Sequence, residues 1–276
     1  MSANAPIAIF DSGVGGLTIV EAVKRRLPNE RVIYLGDTAH LPYGDKSPEV
    51  LRGYVARITR FLLSTEPKAL IIACNTASAV AREVVQRLAG DVPVFEVISP
   101  AVAAALQETS SAHIGVIGTQ TTMSQNIYLQ QLMAKNPRLN VIEKATPLLV
   151  PLIEEDWLDH ALCVQVIEAY LSDTAFRNID TLILGCTHYP VLEQHIGRYF
   201  EKRGQPVRVI TSSEAVALEL EAHLEASSTL APAAAEDSDR FYVTDFTIGF
   251  QKMVDVFFPE KVKLEKLDLS GFSDTY

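Results

Sequence analysis

Short apolar runs alternate along the chain with amphipathic stretches, and the alternation continues through most of its length. The runs PIAIF (6–10), RVIYL (31–35), ALIIA (69–73), VPVFEVI (92–98), HIGVIG (113–118), NVIE (140–143), TLILG (181–185) and PVRVI (206–210) are rich in Ile and Val and read as strands. Between them, LTIVEAVKRRL, VLRGYVARITRFLL and SAVAREVVQRLAG carry the three-to-four-residue spacing of helices with one buried face. Strands that are apolar throughout, rather than at alternate positions, suit parallel sheets covered by helices on both faces. The pattern predicts an α/β fold.

The pattern also repeats at long range. LIIACNT (70–76) and LILGCTH (182–188) share three apolar positions, a small residue, a cysteine and two polar residues, 112 positions apart. IAIFDS (7–12) and IGVIGT (114–119) match in the same way, 107 positions apart. Asp11 precedes Cys74 by 63 residues, and Gly118 precedes Cys186 by 68. Such offsets predict two similar domains with parallel, helix-covered sheets, related by a pseudo-twofold, with a site in the cleft between them. The small, Pro-containing segment ASSTLAPAAAEDS (226–238) reads as a surface loop. Beyond it RFYVT predicts a strand and FQKMVDVFF a helix, and this tail is expected to pack on the first domain. The resulting division is 1–98 plus 211–276 for the first domain and 99–210 for the second.

Composition narrows the class of function. With 48% hydrophobic and 21% charged residues the chain of 276 is expected to be globular. A net charge of −10, from 34 acidic and 24 basic residues, argues against nucleic acid as a partner. Three cysteines with no CxxC pair fit neither a disulfide framework nor a zinc site. The N-terminal MSANAPIAIFDSG has no basic leader, and no apolar run is long enough to span a bilayer. The expectation is a cytoplasmic protein with reduced thiols.

Ligands of open parallel sheets sit beyond the carboxyl ends of the strands. FDSG (10–13), GDTAHLPYG (36–44), ACNT (73–76) and GCTH (185–188) all fall there. One strand-end cysteine is most often packing. Two in matching settings, Cys74 and Cys186, point to chemistry, whereas Cys163, in HALCVQVIEAY, reads as core. Asp11 and Ser12 precede the Gly-rich GVGGLT, where an anion could meet backbone N–H groups, though GVGG matches no nucleotide motif. Asp11 could equally cap that turn or poise a nearby thiol. His188 could be a satisfied structural imidazole or the acid–base partner of Cys186.

Four segments, IAIFDSGVGGLT, YLGDTAHLPYG, ACNTAS and LGCTHYP, together carry a resemblance to the cofactor-independent glutamate racemases of bacterial cell-wall synthesis, over nearly the whole chain. The resemblance implies interconversion of L- and D-glutamate by two-base proton transfer, with no cofactor and no metal. It implies that Cys74 and Cys186 are the catalytic thiols, Cys74 taking the proton from D-glutamate and Cys186 from L-glutamate. Asp11 then matches a carboxylate near the first thiol and His188 the imidazole near the second. Glu154 matches an acidic residue supporting the second thiol, with Glu155 as the alternative register. Ser12, Tyr43, Gly44, Asn75, Thr76 and Thr187, together with Asp11 and His188, match positions that bind the amino acid. The implied partner is glutamate, with neither nucleic acid nor membrane, and a homodimer is compatible with it. Helix N-termini and a protonated His188 are expected to favour the thiolates. Two other classes stay open on the residues alone: a binding module with inert cysteines, and a hydrolase or transferase with a cysteine nucleophile.

Overall fold

The computed structural model describes residues 2–233, 239–246 and 263–276. The eight apolar runs form β1 (Ile7–Asp11), β2 (Val32–Gly36), β3 (Ala69–Ile72), β4 (Val94–Glu96), β5 (His113–Gly118), β6 (Asn140–Ala145), β7 (Thr181–Gly185) and β8 (Arg208–Ile210). The tail adds β9 (Arg240–Val243) and β10 (Leu264–Lys266). The helices of the first half are α1 (Leu17–Arg26), α2 (Pro48–Leu63), α3 (Asn75–Ala89) and α4 (Ile98–Glu108). They are followed by α5 (Gln120–Ser124), α6 (Ile127–Lys135), α7 (Leu149–Glu154), α8 (Ala161–Leu171), α9 (Glu193–Lys202) and α10 (Ser213–Ala226).

β1, β2, β3 and β7 are buried at every position, which is why their sequences lack polar alternation. Parallel neighbours need a crossover connection, and helices supply it: α1 leads from β1 to β2, and α3 from β3 to β4. The strands sort into two sheets, ordered β10-β9-β2-β1-β3-β4 and β6-β5-β7-β8. Without β9 and β10 both orders are second, first, third, fourth strand of their set. The sequence repeat is therefore a repeat of topology. Its register agrees, because Phe10 pairs with Ile72 in the first sheet and Ile117 with Leu184 in the second. Each strand-end cysteine lies two residues beyond an equivalent rung.

β9 pairs with β2, so the strand expected at RFYVT joins the first sheet, and β10, which the sequence reading did not single out, pairs with β9. The helix expected at FQKMVDVFF, and residues 234–238 of the loop, lie outside the described residues. Among the boundaries that differ from the sequence reading, two have a clear local consequence. The strand in VPVFEVI is confined to Val94–Glu96, because the Glu96 carboxylate accepts the N–H of Ile98 at 2.5 Å and of Ser99 at 2.9 Å and so opens α4. α3 begins at Asn75, earlier than its apolar periodicity shows, which places Asn75 and Thr76 in its first turn. Among the described residues no helix is long and apolar enough to cross a membrane.

One buried ion pair ties distant segments together. Lys68 Nζ lies 2.5 Å from Glu30 Oε2, and both side chains are buried. Lys68 also donates to the carbonyls of Ala3 at 2.7 Å and Thr229 at 2.8 Å, while the N–H of Ala231 donates to Glu30 Oε1 at 2.9 Å. Removing one partner strands the other charge out of water. Glu30→Gln is expected to cost about 3–5 kcal/mol, read as a lower urea midpoint, and the paired replacement Glu30→Leu with Lys68→Met to recover most of it. A midpoint unchanged by Glu30→Gln would show that the pair contributes nothing.

Candidate active site

The carboxyl ends of both strand sets meet at one cavity. Its wall carries Ser12, Tyr43, Gly44, Cys74, Asn75 and Thr76 from the first set, and Thr119, Glu154, Cys186, Thr187 and His188 from the second. Local folding explains why these residues arrive together. Ser12, Cys74 to Thr76, Thr119 and Cys186 to His188 follow strands whose apolar runs end in polar sequence, whereas Tyr43 and Gly44 come from the turn after β2 and Glu154 from the end of α7.

Cys74 leaves β3 and caps α3. Its Sγ accepts the N–H of Ala77 at 3.4 Å and lies 3.6 Å from Ser12 Oγ. This helix start does not make the thiol acidic, contrary to the sequence expectation. Burial, and then the Asp11 carboxylate, push the Cys74 thiol up to about 12, against the smaller opposing pull of the Ala77 N–H and the Ser12 hydroxyl. Cys74 therefore rests as the protonated thiol.

Asp11 is not among the residues that form the cavity wall. Fully buried, it accepts the N–H of Gly13 at 3.2 Å and of Gly16 at 2.9 Å through Oδ2, closing the turn into α1. It caps the turn and also sits close enough to Cys74 for its charge to be felt there. The glycines of that turn answer to close approach. A Cβ on Gly15 would lie 2.7 Å from Thr187 Oγ1 and 2.9 Å from His188 Nδ1. The first half thus packs its backbone directly against the Thr187–His188 segment of the second.

Cys186 follows β7, and its Sγ lies 3.8 Å from His188 Nδ1. On the other side of the ring, His188 Nε2 is 3.5 Å from Glu154 Oε1. Burial disfavours the charged ring, but hydrogen bonds to Cys186 and Glu154 and their charges outweigh it, pushing His188 up to about 10. At neutral pH the imidazole is a cation held between a sulfur and a carboxylate. Glu155 is exposed at the C-terminal end of α7, so the residue beside His188 is Glu154. A base raised from 6.5 to about 10 gives its stabilisation in full below 6.5 and loses it as the pH rises through about 10. Glu154→Gln removes one anionic partner and is expected to move the alkaline limb of kcat/KM down by about one pH unit. An unmoved limb would show that Glu154 does not hold the cation.

The remaining wall is a set of donors. The Tyr43 hydroxyl donates to buried Asp37 Oδ2 at 2.6 Å, so this hydrogen is already engaged within the fold. Asn75 Oδ1 accepts from Tyr128 at 2.6 Å, and among the described residues Asn75 Nδ2 has no hydrogen-bond partner. The hydroxyl oxygens of Thr76, Thr119 and Thr122 lie 3.0, 3.1 and 2.9 Å apart, joining the two halves. Thr121 adds a bond from its hydroxyl to the Gly44 carbonyl at 2.8 Å. Thr119 was not singled out in the sequence, yet the signal was there: matching IAIFDS to IGVIGT sets Thr119 opposite Ser12. Pro147, Val150 and Pro151 form an apolar lip that no periodicity announces. Cys163 is fully buried in α8, away from this wall. Among the described residues no group of three or more His, Cys, Asp or Glu could hold a metal ion.

Comparison with known proteins gives the family and the fold. The family model for Asp/Glu/Hydantoin racemase matches residues 17–220. The chain is similar to the glutamate racemase of Chlorobaculum tepidum, 42% identical over 257 residues that make up 93% of each chain. It is 44% identical to that of Syntrophus aciditrophicus over 248 residues, 90% of each chain. Its fold is similar to the crystal structure of glutamate racemase from Francisella tularensis in complex with D-glutamate. That match has a TM-score of 0.91 and 37% identity, and covers 98% of this chain and 100% of that one.

Proposed function

The chain belongs to the Asp/Glu/hydantoin racemase family, and from that premise we propose how it works as a glutamate racemase: two cysteines on opposite sides of the substrate exchange the α-proton without a cofactor. The observation that carries the reading is the pair of thiols, Cys74 and Cys186, ending equivalent strands of the repeat on one cavity wall.

Inverting an α-carbon requires a proton to leave one face and another to arrive on the opposite face. In one direction Cys186, beside the His188 cation, takes the proton, and Cys74, resting as the thiol, gives one. The reverse direction needs Cys74 as thiolate, which burial and Asp11 oppose. The ammonium group of the bound amino acid brings the positive charge that favours it. The carbanion-like transition state then loads its charge onto the α-carboxylate. Ser12 and Thr187, with the backbone at the start of α3, supply donors at the cavity, and one well-aimed donor is worth ~3–4 kcal/mol, while the Asn75 amide holds a carboxylate in ground state and transition state alike. Thr76 and Thr119 add hydroxyls for the second carboxylate.

In this reading residues 1–98 with 211–276 form one domain and 99–210 the other, so that each domain brings one thiol. The separation of the strands into two sheets supports that division. The product, D-glutamate, serves peptidoglycan synthesis, which places the enzyme in the cytoplasm.

The test is direct. After exhaustive dialysis against a chelator, the purified chain is offered L-glutamate or D-glutamate and the optical rotation is followed. Both rotations are expected to decay to zero, with no visible-range chromophore in the protein. Binding without decay would make it a binding module, and activity restored only by pyridoxal phosphate or a divalent metal would overturn cofactor independence.

A further inference from the structure

We infer that Tyr128, on α6, fixes which way round the Asn75 amide faces the cavity and so makes that point of the wall select a carboxylate over an uncharged amide. The inference rests on the reading of this cavity as the glutamate site.

Tyr128 is fully buried and is not among the residues that form the cavity wall. Its hydroxyl lies 2.6 Å from Asn75 Oδ1. That separation suits an O–H···O bond and is short for an N–H···O bond, so the phenol donates and the amide oxygen accepts. Burial, and then the charges of Glu96, Cys186 and Glu143, hold the phenol well above its ordinary value, so it stays a neutral donor wherever the enzyme works.

An asparagine amide has its acceptor on one side and two donors on the other. With the oxygen turned to Tyr128, the NH2 group turns away from it. Asn75 is only 2% exposed, lies on the cavity wall, and its Nδ2 has no hydrogen-bond partner among the described residues. A donor offered this way complements a carboxylate. The opposite orientation would set an amide lone pair against the substrate's negative charge.

The phenol itself is held by the fold. A Cβ at Gly185 would come 3.2 Å from Tyr128 Cε2, and Gly185 immediately precedes Cys186. The bond also crosses from α6 of the second half to α3 of the first. Tyr128 is therefore a positioning residue: it acts on the substrate only through Asn75.

Tyr128→Phe keeps the ring and its packing and removes the hydroxyl. KM for both glutamate enantiomers is expected to rise about tenfold, with kcat changed much less, because the lost contact serves ground state and transition state alike. Inhibition by the two amides of glutamate, glutamine and isoglutamine, is measured in the same assay. For at least one of them, discrimination relative to glutamate is expected to fall, since a freed Asn75 can present its oxygen to an NH2 group. In an Asn75→Ala background the same Tyr128→Phe change is expected to leave KM unmoved, which a merely structural role would not produce. A Tyr128→Phe enzyme with unchanged KM, or an equal rise in both backgrounds, overturns the inference. A wild-type chain that fails to racemise glutamate overturns the underlying reading instead.

Discussion

Alanine at Cys74 or at Cys186 is expected to abolish racemisation in both directions, a loss of roughly 10⁴-fold, the upper end of what one positioned acid or base contributes. The symmetry of the loss is the informative part. In the proposed mechanism each sulfur is the base for one enantiomer and the acid for the other, so losing either one interrupts both directions. Cys163→Ala serves as the control. That side chain is fully buried in α8 and takes no part in the cavity wall, so turnover is expected to stay largely intact while stability falls. The comparison needs only the rate of change of optical rotation and a thermal melt for each variant. A folded Cys163→Ala chain without turnover, or a folded Cys74→Ala chain with wild-type turnover in either direction, would refute the assignment.

The sequence shows where strands end far better than it shows what water can reach. All eight apolar runs are strands, because full burial between helix layers leaves an unbroken Ile and Val signature. The repeat of LIIACNT in LILGCTH was visible as spacing and proved to be topology, with both cysteines two residues past equivalent rungs. Cys74 shows the limit. Its place before a helix is legible, and a helix start alone would lower a thiol's pKa. Burial and Asp11 reverse the sign, and both depend on parts of the chain that meet only in the fold.

Asp11 was legible as a turn cap or a partner for a thiol, and it does the first while its charge reaches the second. The choice between Glu154 and Glu155 turns on one residue at the end of the six-residue helix α7, where no periodicity can decide. Tyr128 left no trace at all. It sits in an ordinary helical stretch, and only the crossing of α6 to α3 gives its hydroxyl a role.

The most direct test of two face-specific bases separates the first proton transfer from the second. Elimination of hydrogen chloride from threo-3-chloroglutamate removes the α-proton and expels chloride, and needs no proton returned on the far face. Serine in place of cysteine sets a hydroxyl where the thiol stood and is a far weaker base, so each Cys→Ser variant retains one working sulfur. Cys186→Ser keeps Cys74, and is expected to eliminate chloride from the D substrate at least roughly 10²-fold faster than from the L substrate. Cys74→Ser, keeping Cys186 with its His188 partner, is expected to show the opposite preference. Chloride release in the two variants, each with the two enantiomers, reads the result. Opposite preferences are what two thiols on opposite faces predict, and equal loss on both enantiomers in both variants would contradict them.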